Sequence, residues 1–343
     1  MAETKFQTIV DVPQFLWQTG YKKKNLFMGS CFTENVGAKM EALKYPVDIN
    51  PFGILYNPLS VANGLQILLD EKQFGSSDLV EHNGLWHSFS HHGRFSNIEK
   101  DVALDEINSR IVNSATFLKE ADFLYITFGT AWIYRYKKDG ELVSNCHKIP
   151  AREFVRERLS VQQILDVYRQ LLTKLWEFNP KLKVVFTVSP IRHWKDGAVE
   201  NQRSKATLIL AVDQLVQEFG SEKCAYFPSY EIVMDELRDY RFYAEDMLHI
   251  SEVAIKHIWE RFAEALIDAE SLALSKEVVK ITNAVKHRPI NKNSIEFSKF
   301  LLSFLKKTGD LEKRFPYLNL KLEKEYFNTQ IEDLGSGDET IVS

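Results

Sequence analysis

The sequence predicts an α/β fold: a mostly parallel sheet covered by helices on both faces, followed by a C-terminal helical extension. Three observations carry this expectation. Four short apolar runs alternate with helical segments as far as about residue 265. Those runs are apolar at nearly every position rather than at every second one, the pattern of strands buried on both faces. After Glu270 the strand pattern stops, while helical periodicity continues.

Taken in order, the first strand spans residues 24–29 and ends at Gly29; a helix over 33–43 follows, with Thr33 placed to cap it. Residues 46–58 read as loop, carrying Asn50-Pro51-Phe52-Gly53 and Asn57-Pro58, and Pro58 suits the first position of a helix running to about Leu69. Residues 73–100 read as loop with short β pieces. A helix over 104–119 leads to a strand over 122–128 and a hairpin over 132–143 that turns at Asp139-Gly140. Ser160 can cap a helix reaching Phe178; then come a strand over 183–188, a helix over 201–219, a strand over 224–227 and a helix over 230–237. A long helix starts at Ser251 and runs to about Ala269. Residues 271–328 read as helices broken at Arg288-Pro289 and Thr308-Gly309, with Pro316 within or between the last two. These readings assign residues 1–270 to an α/β domain, 271–330 to a helical extension and 331–343 to a disordered tail.

Composition narrows the function classes. With 343 residues, 45% hydrophobic and 26% charged, the chain is long enough to bury a sizeable core. A net charge of -4, from 43 basic and 47 acidic residues, supplies no global field for nucleic acid. No apolar run reaches the ~18 residues of a membrane span, and the N-terminus lacks the apolar core of a secretory signal, so a cytoplasmic location is expected. The cysteines Cys31, Cys146 and Cys224 are odd in number and far apart, which argues against a disulfide framework or a Cys-rich zinc site. Cys146 and Cys224 read as packing thiols. The histidines His82, His87, His91 and His92 lie in a loop-like segment with no carboxylate between His82 and His92, and read as loop residues rather than metal ligands.

In open α/β sheets ligands bind beyond the carboxyl ends of the strands, so the residues after each strand are the candidates. After the first strand, Gly29-Ser30-Cys31-Phe32-Thr33 places two nucleophile types before a helix N-terminus, where free N–H groups and the positive dipole end lower a thiol pKa and stabilise an oxyanion. The alternative is a turn with a capping serine and a structural thiol. Before the last long helix stands Asp246-Met247-Leu248-His249. An Asp three residues ahead of a His can accept a hydrogen bond from the ring and leave its other nitrogen as a base; a capped helix start explains the pair equally. Gly129, at the end of the middle strand, can offer an N–H to a developing oxyanion. Arg192 and His193 follow the next strand and are candidate substrate contacts, unless they belong to an ordinary polar loop.

These segments together resemble the GSCFA family, a bacterial family named for a Gly-Ser-Cys-Phe-Ala block. Here the block is Gly29-Ser30-Cys31-Phe32-Thr33, with Thr in place of Ala. The resemblance extends through Asn50-Pro51-Phe52-Gly53, Tyr56-Asn57-Pro58, residues 187–197, Tyr226-Phe227-Pro228-Ser229-Tyr230-Glu231, Asp239-Tyr240-Arg241-Phe242-Tyr243 and Asp246-Met247-Leu248-His249, over roughly residues 5–270. That family is similar to the SGNH (GDSL-like) hydrolases. The resemblance implies a three-layer α/β/α sandwich with a flavodoxin-like sheet, a nucleophile after the first strand and a late Asp-x-x-His. Most members are esterases, several acting on acylated carbohydrates.

Two departures matter. Aligning Gly-Asp-Ser-Leu with Gly29-Ser30-Cys31-Phe32 puts Cys31 at the nucleophile position, whereas a one-residue shift restores Ser30. The oxyanion block aligns with Gly129-Thr130-Ala131-Trp132, so Ala131 stands where an Asn would donate. Losing one such donor typically costs ~2.7–4 kcal/mol of transition-state stabilisation, unless Asn57 or His193 supplies it. Backbone N–H groups of Cys31, Gly53 and Gly129 are the other expected donors. The expectation is thus an ester hydrolase or acyltransferase that needs no metal or organic cofactor and acts on a small-molecule or carbohydrate ester. The rival is a catalytically degraded scaffold that binds a partner. The stripe Phe297, Phe300, Phe304 and Leu305 could form a homodimer or pack on the protein's own core.

Overall fold

The computed structural model describes residues 7–336, and the chain divides into two compact units. Among the described residues, the first holds 7–19, 23–38 and 47–266, and the second gathers 20–22, 39–46 and 267–336.

The first unit is built on a five-stranded parallel sheet. Its strands are β1 (Asn25–Gly29), β2 (Val47–Ile49), β5 (Phe123–Phe128), β9 (Lys183–Val188) and β10 (Cys224–Tyr226), in the order β10-β9-β5-β1-β2. That is the flavodoxin-like order, and it reverses between β1 and β5. Side chains alternate along each strand. Leu26, Met28, Leu124, Ile126, Phe128, Val184, Phe186 and Val188 join the main core, which also takes the apolar faces of α2 (Pro58–Leu69), α3 (Lys100–Glu120), α4 (Val161–Phe178) and α5 (Gly197–Phe219). Phe27 and Tyr125 point the other way and stack on each other, and Tyr125 meets Phe262 of α7 (Glu252–Leu266). Helices therefore cover both faces, as the sequence predicts.

Two sheet elements were not expected. β2 lies within the stretch read as loop, because three residues between Pro46 and Asn50 are too few for a periodic signal. β8 (Phe154–Arg158) pairs with the expected hairpin of β6 (Trp132–Tyr136) and β7 (Leu142–Val143) to make a small antiparallel sheet in the order β7-β6-β8. Its sequence, Phe-Val-Arg-Glu-Arg, is too charged to announce a strand. A further pair, β3 (Val80–His82) and β4 (Leu85–His87), supplies the short β pieces of the 73–100 segment.

Helix ends shift for local reasons. The first helix, α1 (Cys31–Ala42), begins two residues before Thr33: the Ser30 carbonyl accepts from the Thr33 N–H at 2.9 Å, while the Thr33 hydroxyl is buried without a partner and caps nothing. The expected 230–237 helix is a single turn, α6 (Ser229–Glu231), continued by a π-type turn over Ile232–Glu236. The helix expected to reach Ala269 stops at Leu266, because Asp268 caps a new one by accepting from the Ser271 N–H.

The second unit is helical: α8 (Ala269–Lys286), α9 (Ile295–Arg314) and α10 (Lys321–Ser336). Helix α9 runs straight through Thr308-Gly309, where a break was expected; the Thr308 hydroxyl bonds back to the Phe304 carbonyl and stays within the helix. The break falls instead at Phe315-Pro316. The aromatic stripe packs within this unit, Phe300 on Phe297 and Phe304, and Phe304 on Phe327 of α10. Helix α10 also covers residues 331–336 of the expected tail, whose remainder lies outside the described residues. Among the described residues no helix is long and apolar enough to cross a membrane.

Candidate active site

The reversal of strand order between β1 and β5 opens a crevice at their carboxyl ends. Gly29 closes β1 at φ 141°, where an added Cβ would lie 2.2 Å from the Thr127 carbonyl oxygen of β5. Only glycine fits there, and the chain turns at once into Ser30 and α1. The Asn50-Pro51-Phe52-Gly53 loop braces this turn: Asn50 Oδ1 accepts from the Gly29 N–H, and Asn50 Nδ2 donates to Glu34.

A cavity of about 420 Å³ sits over the turn. It brings together Ser30, Cys31, Asn57, Arg192, His193 and His249, six of the nine residues singled out from sequence. His249 arrives from the far end of the unit. Its Nδ1 is 2.5 Å from Asp246 Oδ2, and Asp246 Oδ1 accepts the backbone N–H groups of both Leu248 and His249. The hydrogen bond from His249, followed by those backbone donors, pulls the Asp246 carboxyl down to about 2. The ring is thereby fixed with Nε2 as its remaining nitrogen.

Ser30 and Cys31 differ in access. The Ser30 hydroxyl is sealed from solvent and has no hydrogen-bond partner. Cys31 is half-buried at the first helical position, and its thiol is hydrogen-bonded to the Tyr56 hydroxyl. A depressed thiol pKa was expected from the helix N-terminus; instead burial pushes the thiol up, outweighing the Tyr56 bond and the thiol's own backbone N–H. Tyr56 is pushed up to about 12, first by burial and then by Cys31. Neither Ser30 nor Cys31 is hydrogen-bonded to His249 among the described residues.

Two expected oxyanion donors are already occupied. The Gly53 N–H closes its own turn on the Asn50 carbonyl at 2.7 Å, and Gly53 packs against His92 rather than lining the cavity. The Gly129 N–H donates to the Tyr56 carbonyl at 2.7 Å, as does that of Thr130 at 2.9 Å. The Thr33 and Glu34 N–H groups of α1 are taken by the Ser30 carbonyl, so the donors left are the Cys31 and Phe32 N–H groups at the start of α1, which have no intrahelical acceptor by position, and the Asn57 amide. Asn57 Oδ1 caps α2 on the Ser60 N–H at 2.8 Å, and this orients the amide so that Nδ2 is its remaining donor. His193 stacks edge-on against Tyr56 at 5.4 Å and is held down at about 4, chiefly by burial and then by Lys205, so it is neutral at pH 7.

Three features of the site escaped sequence reasoning. Lys205 of α5 is fully buried and donates to the Gly129 and Ser189 carbonyls at 2.6 and 2.5 Å, tying together the ends of β5 and β9. Burial, with Arg192 second, brings it down to about 7. A lysine in an amphipathic helix reads as solvent-facing, so no signal marked it. Tyr56 is marked only by standing next to Asn57. The third is the wall from the small antiparallel sheet, where the Arg156 guanidinium lies over the Trp132 ring at 4.4 Å and forks onto Asp196.

Three of the four clustered histidines bond through their rings to local groups: His87 to Ser96 and to the His82 carbonyl, His91 to Ser88, and His92 to the Arg94 N–H.

Among solved structures, the fold is similar to a carbohydrate esterase family 3 protein from Talaromyces cellulolyticus (10% identity, TM-score 0.35, covering 74% of this chain and 99% of that one). It is also similar to an acetyl xylan esterase, Est2A, from the rumen bacterium Butyrivibrio proteoclasticus (12% identity, TM-score 0.36, covering 72% of this chain and 65% of that one). At TM-scores this low neither likeness bears on function. No curated protein matches the sequence. The C-terminal domain of GSCFA domain proteins matches residues 278–333. The GSCFA family itself matches residues 24–262, the whole span from β1 into α7, and the chain belongs to that family.

Proposed function

We propose that the protein is an SGNH-type ester hydrolase or acyltransferase in which Cys31 is the nucleophile, His249 the general base and Asp246 its orienting partner. The observation that carries this reading is the meeting, in one cavity, of a half-buried thiol at a helix N-terminus and a histidine whose Nδ1 is bonded to a carboxylate. As the Cys31 sulfur attacks the ester carbonyl, its proton passes to His249 Nε2. The tetrahedral intermediate collapses by breaking the carbon–oxygen bond, and the departing alkoxide takes that proton from His249. Water or an acceptor alcohol, deprotonated in turn by His249, releases the acyl group from sulfur. Because burial holds the thiol protonated, the base is needed for the first step. The Cys31 N–H and Asn57 Nδ2 are the oxyanion donors this geometry leaves, with Asn57 standing in for the Asn that Ala131 replaces. An acylated carbohydrate is the substrate class we favour.

The test is turnover of short-chain acetyl and butyryl esters. Cys31→Ala and His249→Ala should each lower kcat/KM by about 10³-fold or more, whereas Ser30→Ala should cost far less. Mass spectrometry of the trapped acyl-enzyme should find the acyl group on Cys31. Its appearance on Ser30 would move the nucleophile by one residue. The occupied Gly53 and Gly129 N–H groups favour a second reading, a binding module on a degraded scaffold; an intact protein that turns over no ester would select it.

A further inference from the structure

A second cavity, of about 540 Å³, adjoins the first, and Arg192, Trp194 and Leu248 line both. Asp246 faces this second space while His249 faces the first, so the Asp–His pair stands on the divide.

The charges around Arg192 are unequally satisfied. The carboxylates that line the two cavities are engaged, Asp196 with Arg156, Asp239 with Arg241 and Asp246 with His249, as are Asp235 with Arg238 and Glu231 with the Tyr226 hydroxyl. Arg192 is partly buried, yet its one hydrogen bond among the described residues goes to the Met234 thioether at 3.5 Å, and no carboxylate lies within ion-pair distance. A guanidinium drawn out of bulk water without an anion gives up hydration and gains little from sulfur. It also presents a planar fork suited to two oxygens of a carboxylate or phosphate. His193 beside it is neutral and does not compete for that anion. Trp194 and Tyr240 are 52% and 77% exposed on the rim of the second cavity, apolar faces for the body of a ligand whose charged end reaches Arg192.

We infer that the second cavity receives the alcohol part of the ester and that Arg192 reads a carboxylate or phosphate carried on it, so that the preferred substrate is an anionic ester. This rests on the ester reading of the neighbouring cavity, and the experiment separates the two. In the full chain, kcat/KM is compared for 4-acetoxybenzoate, 4-acetoxyphenyl phosphate and the neutral 4-acetoxybenzamide. Binding of the corresponding product phenols, which needs no turnover, is measured by titration calorimetry. The expected result is a preference of roughly tenfold or more for at least one anionic probe, in turnover and in binding, that weakens with added salt. Arg192→Gln should collapse the ratio to within about twofold, and Arg192→Lys should restore part of it. Which probe gains more tells carboxylate from phosphate. Equal treatment of charged and neutral probes by the parent protein, or a preference that survives in Arg192→Gln, would overturn the inference. An anion preference in binding without any turnover would keep Arg192 as the anion site and discard the esterase. Should Arg192→Gln not fold, the parent's preference and its salt dependence still decide.

Discussion

Two turns deliver chemistry to the same cavity, and they are built in opposite ways. The turn at Gly29-Ser30-Cys31 is closed. Ser30 is 2% exposed, Gly29 has no room for a Cβ, and the brace from Asn50 fixes its backbone. The turn at Asp246–His249 is open, with side chains 47% and 57% exposed, and it is held by three hydrogen bonds onto one carboxylate. Their protonation follows from that difference. Desolvation governs the closed turn and raises the thiol; hydrogen bonding governs the open turn and lowers the carboxyl. In the reaction proposed above, a half-buried nucleophile that stays protonated and an exposed base that stays oriented would divide the labour. Damage to the backbone of the closed turn should therefore appear as lost folding, and damage to the open turn as lost rate.

The largest expected effect tests the closed turn. Gly29→Ala places a methyl 2.2 Å from the Thr127 carbonyl at a φ that L-residues rarely adopt. We expect a loss of about 4 kcal/mol or more, measured by urea unfolding, or no folded protein at all. A stable Gly29→Ala protein would mean that this turn is not rigid and would end the contrast. By comparison, Asp246→Asn should cost far less stability than Gly29→Ala, since the group is exposed and water screens its hydrogen bonds. It should slow turnover by roughly 10²-fold, short of the ~10⁴ typical of a buried triad aspartate, because water can partly replace its role. Equal damage to stability and rate would show that Asp246 is a structural cap and nothing more.

The two turns were also unequally legible in the sequence. Both motifs could be read, because each is a contiguous run set against a strand end or a helix start: Gly29 to Thr33 after an apolar strand, Asp246 to His249 before a helix. A parallel sheet followed from four buried runs separated by helices, whereas its flavodoxin-like order was implied only by the family resemblance, and β2, beyond which the order reverses, lies in a stretch that reads as loop. What the sequence hid was the identity of donors. Gly53 and Gly129 are glycines next to the site, as an oxyanion hole requires, yet their N–H groups are occupied by the Asn50 and Tyr56 carbonyls. Only the three-dimensional path of the 50–57 loop decides that. Lys205 was hidden for a related reason: its helix looks amphipathic, and its burial comes from two carbonyls at strand ends far away in the chain. Short or charged strands such as β2 and β8 carry too few apolar residues to show a period.

The smallest effect separates the two turns by pH. His91 and His147 are buried and His193 is partly buried; chiefly by desolvation they are held at about 3, about 4 and about 4, so each is neutral in the folded protein at pH 7. In the unfolded chain each titrates near ~6.5. Below that value the unfolded state binds protons that the folded state refuses. Stability is therefore complete above about pH 6.5 and falls as the pH drops toward the folded values, by at most ~1.4 kcal/mol per pH unit for each histidine. Asp246 acts elsewhere on the scale. Its carboxyl is depressed, so its contribution is present above the ordinary value of 3.8 and is lost only as the pH falls through about 2. Between pH 6.5 and 4.5 Asp246 thus adds no slope, and the wall around the closed turn adds one through His193. Melting temperatures over that interval should fall for the parent protein and fall less steeply, by about a third, for His193→Gln. An identical slope in the two proteins would place His193 in water rather than against Tyr56, and the neutral wall beside Cys31 would go with it.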